Sequence, residues 1–266
     1  MQGSTTPLDL VIGILGGMGP MADIDFISKL IAATPAAHEG EYLRVLLDSN
    51  PKIPDRQRAI AAANNHLPIE KCNPGPVLAD MARQLERSGA TLIVMTSNTA
   101  HAFASDICAA ITVPFVSIIE EACDAACQGA EPGRRLGILA TPGCLETGLY
   151  QRAIARRHCE SLGPSPAKQL RLMQLIHQIK LGHADDDLRR EMHSFAEALI
   201  DAGADAIIAG CTEIPLVLSG LSLPRPLFDA TDILARRCVL YAKHRETIPA
   251  RVSRPMSTTL PHSRFA

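Results

Sequence analysis

Short apolar segments alternate with longer amphipathic segments along most of the chain. The apolar segments are rich in Val, Ile and Leu and end near Gly, Ser, Thr or Asp, which is typical of buried strands. The predicted strands cover residues 10–15, 43–47, 91–95, 113–116, 135–140, 204–209 and 226–228. The predicted helices cover residues 22–33, 75–88, 118–129, 148–157, 170–182, 188–202 and 231–244. Such alternation predicts an α/β protein whose sheets are mainly parallel and flanked by helices.

An internal repeat predicts that the chain folds into two similar lobes. The segment LERSGATLIVMTSNTA aligns without a gap on LIDAGADAIIAGCTEI, which pairs Ser97 with Cys211. A second pair is GILGGM at residues 13–18 and GILATP at residues 137–142. We therefore expect two lobes related by a pseudo-twofold axis, with a ligand site between them at the carboxyl ends of the strands. In this arrangement Ser97 and Cys211 would face each other across the interlobe cleft.

The repeat also predicts where each lobe begins and ends. The N-terminal lobe is predicted over residues 8–116 with a returning helix at 230–245, and the C-terminal lobe over residues 117–229. Residues 246–266 contain Pro, Ser, Thr and Arg without periodicity, so we expect a flexible tail there.

The composition indicates a globular protein and excludes several other classes. Of the 266 residues, 47% are hydrophobic, which is enough for a packed core. With 26 basic and 28 acidic side chains, the net charge of -2 provides no general attraction to nucleic acid or an anionic membrane. No segment approaches the roughly 20 uninterrupted apolar residues of a membrane span, and the first residues lack the basic start and cleavage site of a secretion signal. We therefore expect a cytoplasmic protein whose eight cysteines are thiols.

Cys211 is the strongest candidate for a reactive side chain. It follows a predicted strand and precedes Thr-Glu-Ile-Pro, a pattern typical of a helix start. A thiol at a helix N-terminus faces unpaired N–H groups and the positive end of the helix dipole, which lower its pKa from about 8.5. We therefore expect a thiolate that acts as a base or a nucleophile. The alternative is an inert buried thiol.

Three other regions contain groups that can hold a carboxylate. The main-chain amides and hydroxyls of residues 97–99 can bind an anion, or they can simply cap a helix. The glycine-rich turn at residues 16–20 lacks the dinucleotide fingerprint, so we interpret it as an anion-holding turn or a plain tight turn. Arg56 can grip a carboxylate with its guanidinium fork. Arg56 and Lys180 can equally be surface cations.

No motif points to a metal site or to a serine hydrolase. Cys123 and Cys127 lie one helical turn apart, but no His or Cys pair completes a zinc-binding set near them. The nine histidines form no H-E-x-x-H motif, and the chain has no G-x-S-x-G elbow. His101, one helical turn after Ser97, is the histidine nearest to the expected site.

Six short motifs together resemble the aspartate/glutamate racemase family. In chain order they are GILGGMGP, NPKIPDR, NTAH, GLYQ, IKLG and GCTEIPL. The likeness runs from Leu10 to His244, which is nearly the whole chain. The resemblance implies two α/β lobes with the site in the cleft between them, a homodimer, and a mechanism that uses neither pyridoxal phosphate nor any other cofactor or metal.

The resemblance also implies a mechanism and a set of site residues. Members of this family racemise acidic amino acids with two cysteines on opposite faces of Cα, one removing a proton as thiolate and the other returning one. The second cysteine corresponds to Cys211, whereas the first corresponds to Ser97, where this chain departs from the pattern. Arg56 and Lys180 correspond to residues near the substrate carboxylates, and His177 stands where many members have Tyr. Further residues expected to line the site are Met18, Asn98, Thr99, Thr141, Thr212 and Glu213.

We therefore predict a cofactor-independent racemase of a small acidic amino acid, aspartate or glutamate. Cys211 is the predicted proton-transfer group, and Ser97 is its weaker partner because an alcohol is far less acidic than a thiol. Racemisation is then slow or biased to one direction. One alternative is a one-cysteine decarboxylase or isomerase of a small dicarboxylic acid. The other is an inactive carboxylate-binding homologue, against which the retention of Cys211, Arg56 and Lys180 argues.

Overall fold

The computed structural model describes residues 10–69, 72–218, 220–243 and 245–249. Their β-strands form two parallel four-stranded sheets. The first sheet, in the order β2-β1-β3-β4, contains β1 (Val11–Gly16), β2 (Arg44–Ser49), β3 (Leu92–Met95) and β4 (Phe115–Val116). The second, in the order β6-β5-β7-β8, contains β5 (Arg135–Leu139), β6 (Glu160–Leu162), β7 (Ala206–Ala209) and β8 (Leu227–Asp229). The α/β architecture predicted from the alternating pattern is confirmed.

Helices connect the strands and cover the sheets. They are α1 (Pro20–Ala33), α2 (Arg56–Asn64), α3 (Gly75–Arg87), α4 (Ala104–Ala110), α5 (Ile118–Cys127), α6 (Pro142–Glu146), α7 (Leu149–Ala155), α8 (Pro166–Lys180), α9 (Asp186–Asp201), α10 (Ile214–Leu218) and α11 (Ala230–Ala242). Each predicted helix is present, with shifted ends. Within the described ranges, no helix has both the length and the apolar character needed to cross a membrane.

The two sheets share a packing detail at their central strands. Gly13 in β1 lies beside Ile93 in β3, and Gly137 in β5 lies beside Ile207 in β7. A Cβ atom at either glycine would stand 2.6 Å from Cδ1 of the neighbouring isoleucine. A larger residue at either position would therefore force that isoleucine side chain to shift. The aligned residues of the internal repeat thus occupy equivalent places in the two sheets.

Five observed elements lie outside the predicted ranges: β6, α2, α4, α6 and α10, of which only α10 was anticipated, as a helix start after Cys211. The strand β6 is a three-residue edge strand with two polar residues, and its register comes from pairing with residues 135–137 of β5. The helices are short, at five to nine residues. Elements of this size have little periodicity of their own, so tertiary contacts decide whether they form.

The helix α11 packs against both α1 and α5. The largest apolar cluster includes Ile12 and Val116 from the first sheet together with Leu136 and Ile208 from the second. The core is therefore continuous from one sheet to the other. The division into lobes at residues 116 and 230 stays a prediction, and the predicted tail lies outside the described residues from residue 250 onward.

Candidate active site

Four of the predicted site residues follow the carboxyl ends of the inner strands of the two sheets. Met18 comes after β1, Ser97 after β3, Thr141 after β5 and Cys211 after β7. All four side chains are buried, and none is more than 6% exposed. The loops that carry them meet, because hydrogen bonds join the loops of the first sheet to those of the second.

Two of these bonds involve residues predicted to bind substrate. The hydroxyl oxygens of Thr99 and Thr141 lie 2.8 Å apart, which joins the loop after β3 to the loop after β5. The Tyr150 hydroxyl on α7 donates to Asn98 Oδ1 at 2.7 Å. The structure therefore brings Asn98, Thr99 and Thr141 into one buried region between the sheets.

The Asn98 side chain presents an unused donor in that region. Its oxygen is occupied by Tyr150, while its Nδ2 is buried and has no hydrogen-bond partner among the described residues. An unpaired buried donor costs about 1–3 kcal/mol, and a carboxylate bound beside it would remove that cost. Tyr150 was not among the predicted site residues, although it lies in the GLYQ motif.

Cys211 contacts a carboxylate directly. Its Sγ donates to Glu213 Oε2 at 2.9 Å, and both side chains are buried. Burial and the negative charge of Glu213 raise the pKa of the Cys211 thiol well above its ordinary value, and the Lys180 ammonium only partly opposes them. The expectation of a pKa lowered by the helix start is therefore wrong. The helix α10 begins only at Ile214 and is short, so desolvation and the adjacent carboxylate outweigh its dipole.

The Glu213 carboxylate is held by three side chains. Oε2 accepts hydrogen bonds from Cys211 and, at 3.2 Å, from the Thr212 hydroxyl. Oε1 lies 3.5 Å from Lys180 Nζ. A carboxylate in this place would repel a substrate carboxylate, so Glu213 is better suited to a partner that carries a proton or a positive charge.

Two cations reach the site from different parts of the chain. Arg56 is the first residue of α2, because Asp55 caps that helix through its side chain. Arg56 Nη2 lies 3.5 Å from the Met18 carbonyl oxygen, and Lys180 Nζ, at the end of α8, lies 3.3 Å from the same oxygen. Met18 therefore contributes its carbonyl group, while its side chain is in the core. His177 is exposed, one helical turn before Lys180.

The Arg56 guanidinium is available for an anionic ligand. Within the described residues, its hydrogen bonds all go to main-chain carbonyls, at 3.3 to 3.5 Å. Burial lowers its pKa, and the charges of Asp55 and Glu213 counteract this shift. Because these bonds are long and neutral, a bidentate carboxylate would be a stronger partner.

Among the residues that the structure describes, Ser97 forms no hydrogen bond to a charged side chain. His101 Nδ1 donates to the Ser97 main-chain carbonyl at 2.8 Å, and its ring packs against Phe115. Burial lowers the pKa of His101 to about 4, so the ring is neutral at physiological pH. His101 therefore supports the loop through the main chain of Ser97.

The structure adds one buried residue that the sequence patterns did not indicate. Asp23 on α1 is 1% exposed and accepts hydrogen bonds from Gly17 N at 2.8 Å, Ser49 Oγ at 2.6 Å and Thr96 Oγ1 at 2.6 Å. Gly17 directly follows β1, Ser49 is the last residue of β2, and Thr96 directly follows β3, and these three strands are neighbours in the sheet. Asp23 thereby ties together the loops next to Ser97. An isolated Asp in an amphipathic helix gives no local signal of this role.

Comparison with known proteins gives consistent matches. A sequence profile of the Asp/Glu/Hydantoin racemase family matches residues 15–238. The chain is similar to the broad specificity amino-acid racemase RacX of Bacillus subtilis (strain 168), with 27% identity over 235 residues that cover 86% of this chain and 96% of the relative. It is also similar to the solved Picrophilus torridus aspartate racemase, with 25% identity and a TM-score of 0.74 over 88% of this chain and 94% of that one.

A further structural match supports the fold. Glutamate racemase from Francisella tularensis subsp. tularensis SCHU S4, solved with D-glutamate, has a TM-score of 0.64 at 16% identity, over 93% of this chain and 86% of that one. The region matched by the family profile runs from β1 into α11 and contains all the site residues described above. The resemblance inferred from the six motifs is confirmed. The chain belongs to the Asp/Glu/hydantoin racemase family and is a racemase.

Proposed function

We propose that this racemase acts on a small acidic amino acid, aspartate or glutamate, and transfers protons at Cα without a cofactor. The observation that carries the proposal is the buried Cys211 thiol in a site where Arg56 and Lys180 both reach the Met18 carbonyl oxygen. Two cations match the two carboxylates of such a substrate. The name of the Picrophilus torridus relative, an aspartate racemase, supports the same substrate class.

Arg56, Lys180 and the free Asn98 amide would hold the substrate carboxylates. Removal of the α-proton places negative charge on the α-carboxylate as it takes on enolate character. Fixed cations and N–H donors in a buried site stabilise such charge more strongly than water does. This accounts for proton transfer at a carbon acid by side chains alone.

The two faces of Cα would be served unequally. Cys211 would act on one face, where its sulfur removes or returns the α-proton. Ser97 would serve the opposite face by delivering a proton from its hydroxyl, which water then restores. Because an alcohol is a poor base, removal of a proton from that face is expected to be the slow step.

The test is incubation of L- and D-aspartate and L- and D-glutamate in D2O. Proton NMR follows loss of the α-proton, and chiral chromatography follows the enantiomer ratio in the same tubes. Exchange with inversion of configuration is the expected result. Exchange of one enantiomer with retention would mean that Cys211 works alone. Absence of exchange from all four would contradict the proposal and direct attention to malonate-type acids, whose decarboxylation needs one proton donor.

Neutralising either cation should weaken substrate binding. A hydrogen bond to a charged group is worth about 1.5–3 kcal/mol, so Arg56→Gln and Lys180→Gln are each expected to lower kcat/KM by roughly 10- to 100-fold. Arg171→Gln is the matched control, because Arg171 lies on the same helix as Lys180 and pairs with Glu191 on the exposed surface. Steady-state kinetics would check this. Equal effects of all three substitutions would contradict the assigned roles.

We also propose that the protein is a homodimer that works in the cytoplasm. Met21, Ile24 and Ile31 are at least 51% exposed along one side of α1, which favours a buried interface there. We expect Ile24→Glu to produce a monomer, measured by light scattering after size-exclusion chromatography. Leu170→Glu, at a position that is 68% exposed on α8, should leave the wild-type mass unchanged. The content of eight cysteines, which we expect to be thiols, supports a reducing compartment.

A further inference from the structure

Tyr150, the second residue of α7, contacts both loops that carry the proposed proton-transfer groups. Its hydroxyl donates to Asn98 Oδ1 at 2.7 Å, and Asn98 directly follows Ser97. Its ring packs against Gly210, which directly precedes Cys211. A Cβ atom at that glycine would stand 2.9 Å from Tyr150 Cε2 and 3.3 Å from its Cζ. The phenol is fully buried, so packing fixes the position of its ring.

The Tyr150 hydroxyl is a hydrogen-bond donor throughout the physiological pH range. Burial, the largest cause, raises the pKa of Tyr150 well above the ordinary value of a phenol, so the oxygen keeps its proton. Among the described residues, the bond to Asn98 Oδ1 is the one that this hydroxyl makes. The buried O–H group therefore depends on the Asn98 oxygen as its acceptor.

This bond decides which end of the Asn98 amide is left for a ligand. Turning the amide by half a turn would exchange its acceptor oxygen and its donor nitrogen. In the observed orientation Nδ2 alone, of the polar atoms of these two side chains, has no partner among the described residues. In the turned orientation Nδ2 would face the phenol oxygen, and both the phenol proton and Oδ1 would lack a partner. Because each unpaired buried polar group costs free energy, Tyr150 favours the orientation that leaves a donor free.

We infer that Tyr150 is a positioning residue for the reaction proposed above, and that it keeps Nδ2 of Asn98 directed at a substrate carboxylate. The inference rests on the proposed function, because a carboxylate accepts hydrogen bonds and a turned amide would present an oxygen that repels it. Tyr150 acts through Asn98 and touches no substrate in this role. Its ring against Gly210 also keeps the amide at a fixed separation from the loop of Cys211.

The first readout requires no ligand. Nitrogen-15 relaxation gives the order parameter of the Asn98 side-chain amide, identified as the signal that Asn98→Ala removes. Tyr150→Phe keeps the ring and deletes the hydroxyl, so this order parameter is expected to fall. An unchanged order parameter in Tyr150→Phe would overturn the inference.

Tyr241→Phe is the matched control for this measurement. Tyr241 is another buried phenol, and its hydroxyl donates to Glu121 where α5 packs against α11. The control also loses one buried hydrogen bond, so its thermal unfolding should resemble that of Tyr150→Phe. Its Asn98 signal should match that of wild type, because its lost bond lies in another contact. An equal fall of the order parameter in both variants would contradict a specific role of Tyr150.

The second readout is binding of succinate, a small dicarboxylate, measured by isothermal titration calorimetry. Asn98→Ala and Tyr150→Phe are each expected to raise Kd by roughly tenfold. Because Tyr150 acts through Asn98, the double variant should also be about tenfold weaker, whereas independent effects would multiply to about a hundredfold. A merely structural role of Tyr150 would give the multiplied value and overturn the inference. Tyr241→Phe should bind succinate as wild type does.

The two readouts separate this inference from the proposed function. An Asn98 amide that loosens only in Tyr150→Phe, without succinate binding and without Cα exchange from any amino acid, would reject the proposed function and keep the control of the amide by Tyr150. Succinate binding and Cα exchange in wild type, with multiplied effects in the double variant, would reject the positioning role and keep the function.

Discussion

Replacing Cys211 by alanine is expected to lower Cα proton exchange by roughly 10³-fold or more. The thiol lies beside the Glu213 carboxylate in the buried site, and alanine removes the sulfur that is proposed to take the α-proton. The measurement is exchange of the α-proton of aspartate and glutamate in D2O, followed by proton NMR for the variant and for wild type.

The matched control for this loss is Cys238→Ala. Cys238 is also fully buried, but it lies on α11 in the main apolar cluster. Its replacement should cost stability without removing exchange, and thermal unfolding separates the two effects. Full activity of Cys211→Ala would contradict every step assigned to this side of the site.

Ser97→Cys is expected to raise the rate of inversion by roughly 10²-fold or more. A thiol ionises far more readily than an alcohol, so both faces of Cα would then have a group able to remove a proton. The position is buried and the change is nearly isosteric, so little repacking is needed. Chiral chromatography of reactions started from each enantiomer would measure the rate in both directions.

Ser161→Cys, a serine-to-cysteine change on the edge strand β6, is the control for nonspecific effects of an added thiol. It should behave as wild type. If Ser97→Cys leaves inversion unchanged, the second face does not limit the reaction. A one-cysteine reaction, such as decarboxylation of a malonate-type acid, would then fit the site better than racemisation.

Much of the fold was predictable because the strands that form the centres of the sheets are continuous apolar runs. All residues of β1, β3 and β7 are buried. A strand that is buried on both faces appears in the sequence as an uninterrupted apolar run, so these strands could be predicted. The edge strand β6 has no such apolar run, because two of its three residues are polar. It forms a strand because it pairs with β5.

The candidate site was predictable in position but not in electrostatics. The sequence places Cys211 after a strand, and the structure confirms that position, whereas the expected fall in its pKa is reversed. The helix start is local and can be inferred from neighbouring residues. The desolvation of the thiol depends on all the groups packed around it. The side-chain orientation that brings the Glu213 carboxylate against Cys211 depends on contacts such as that with Lys180.

The sequence by itself determined the parallel sheets, the internal repeat that aligns Gly13 with Gly137, and the family. Each of these depends on local periodicity or on motifs of adjacent residues. Only the tertiary structure decided that Asp23 joins three strand ends, that Tyr150 orients Asn98, and that Glu213 faces the Cys211 thiol. The energies of buried hydrogen bonds and charges depend on distance and on exclusion of water, and neither quantity exists until the chain has folded.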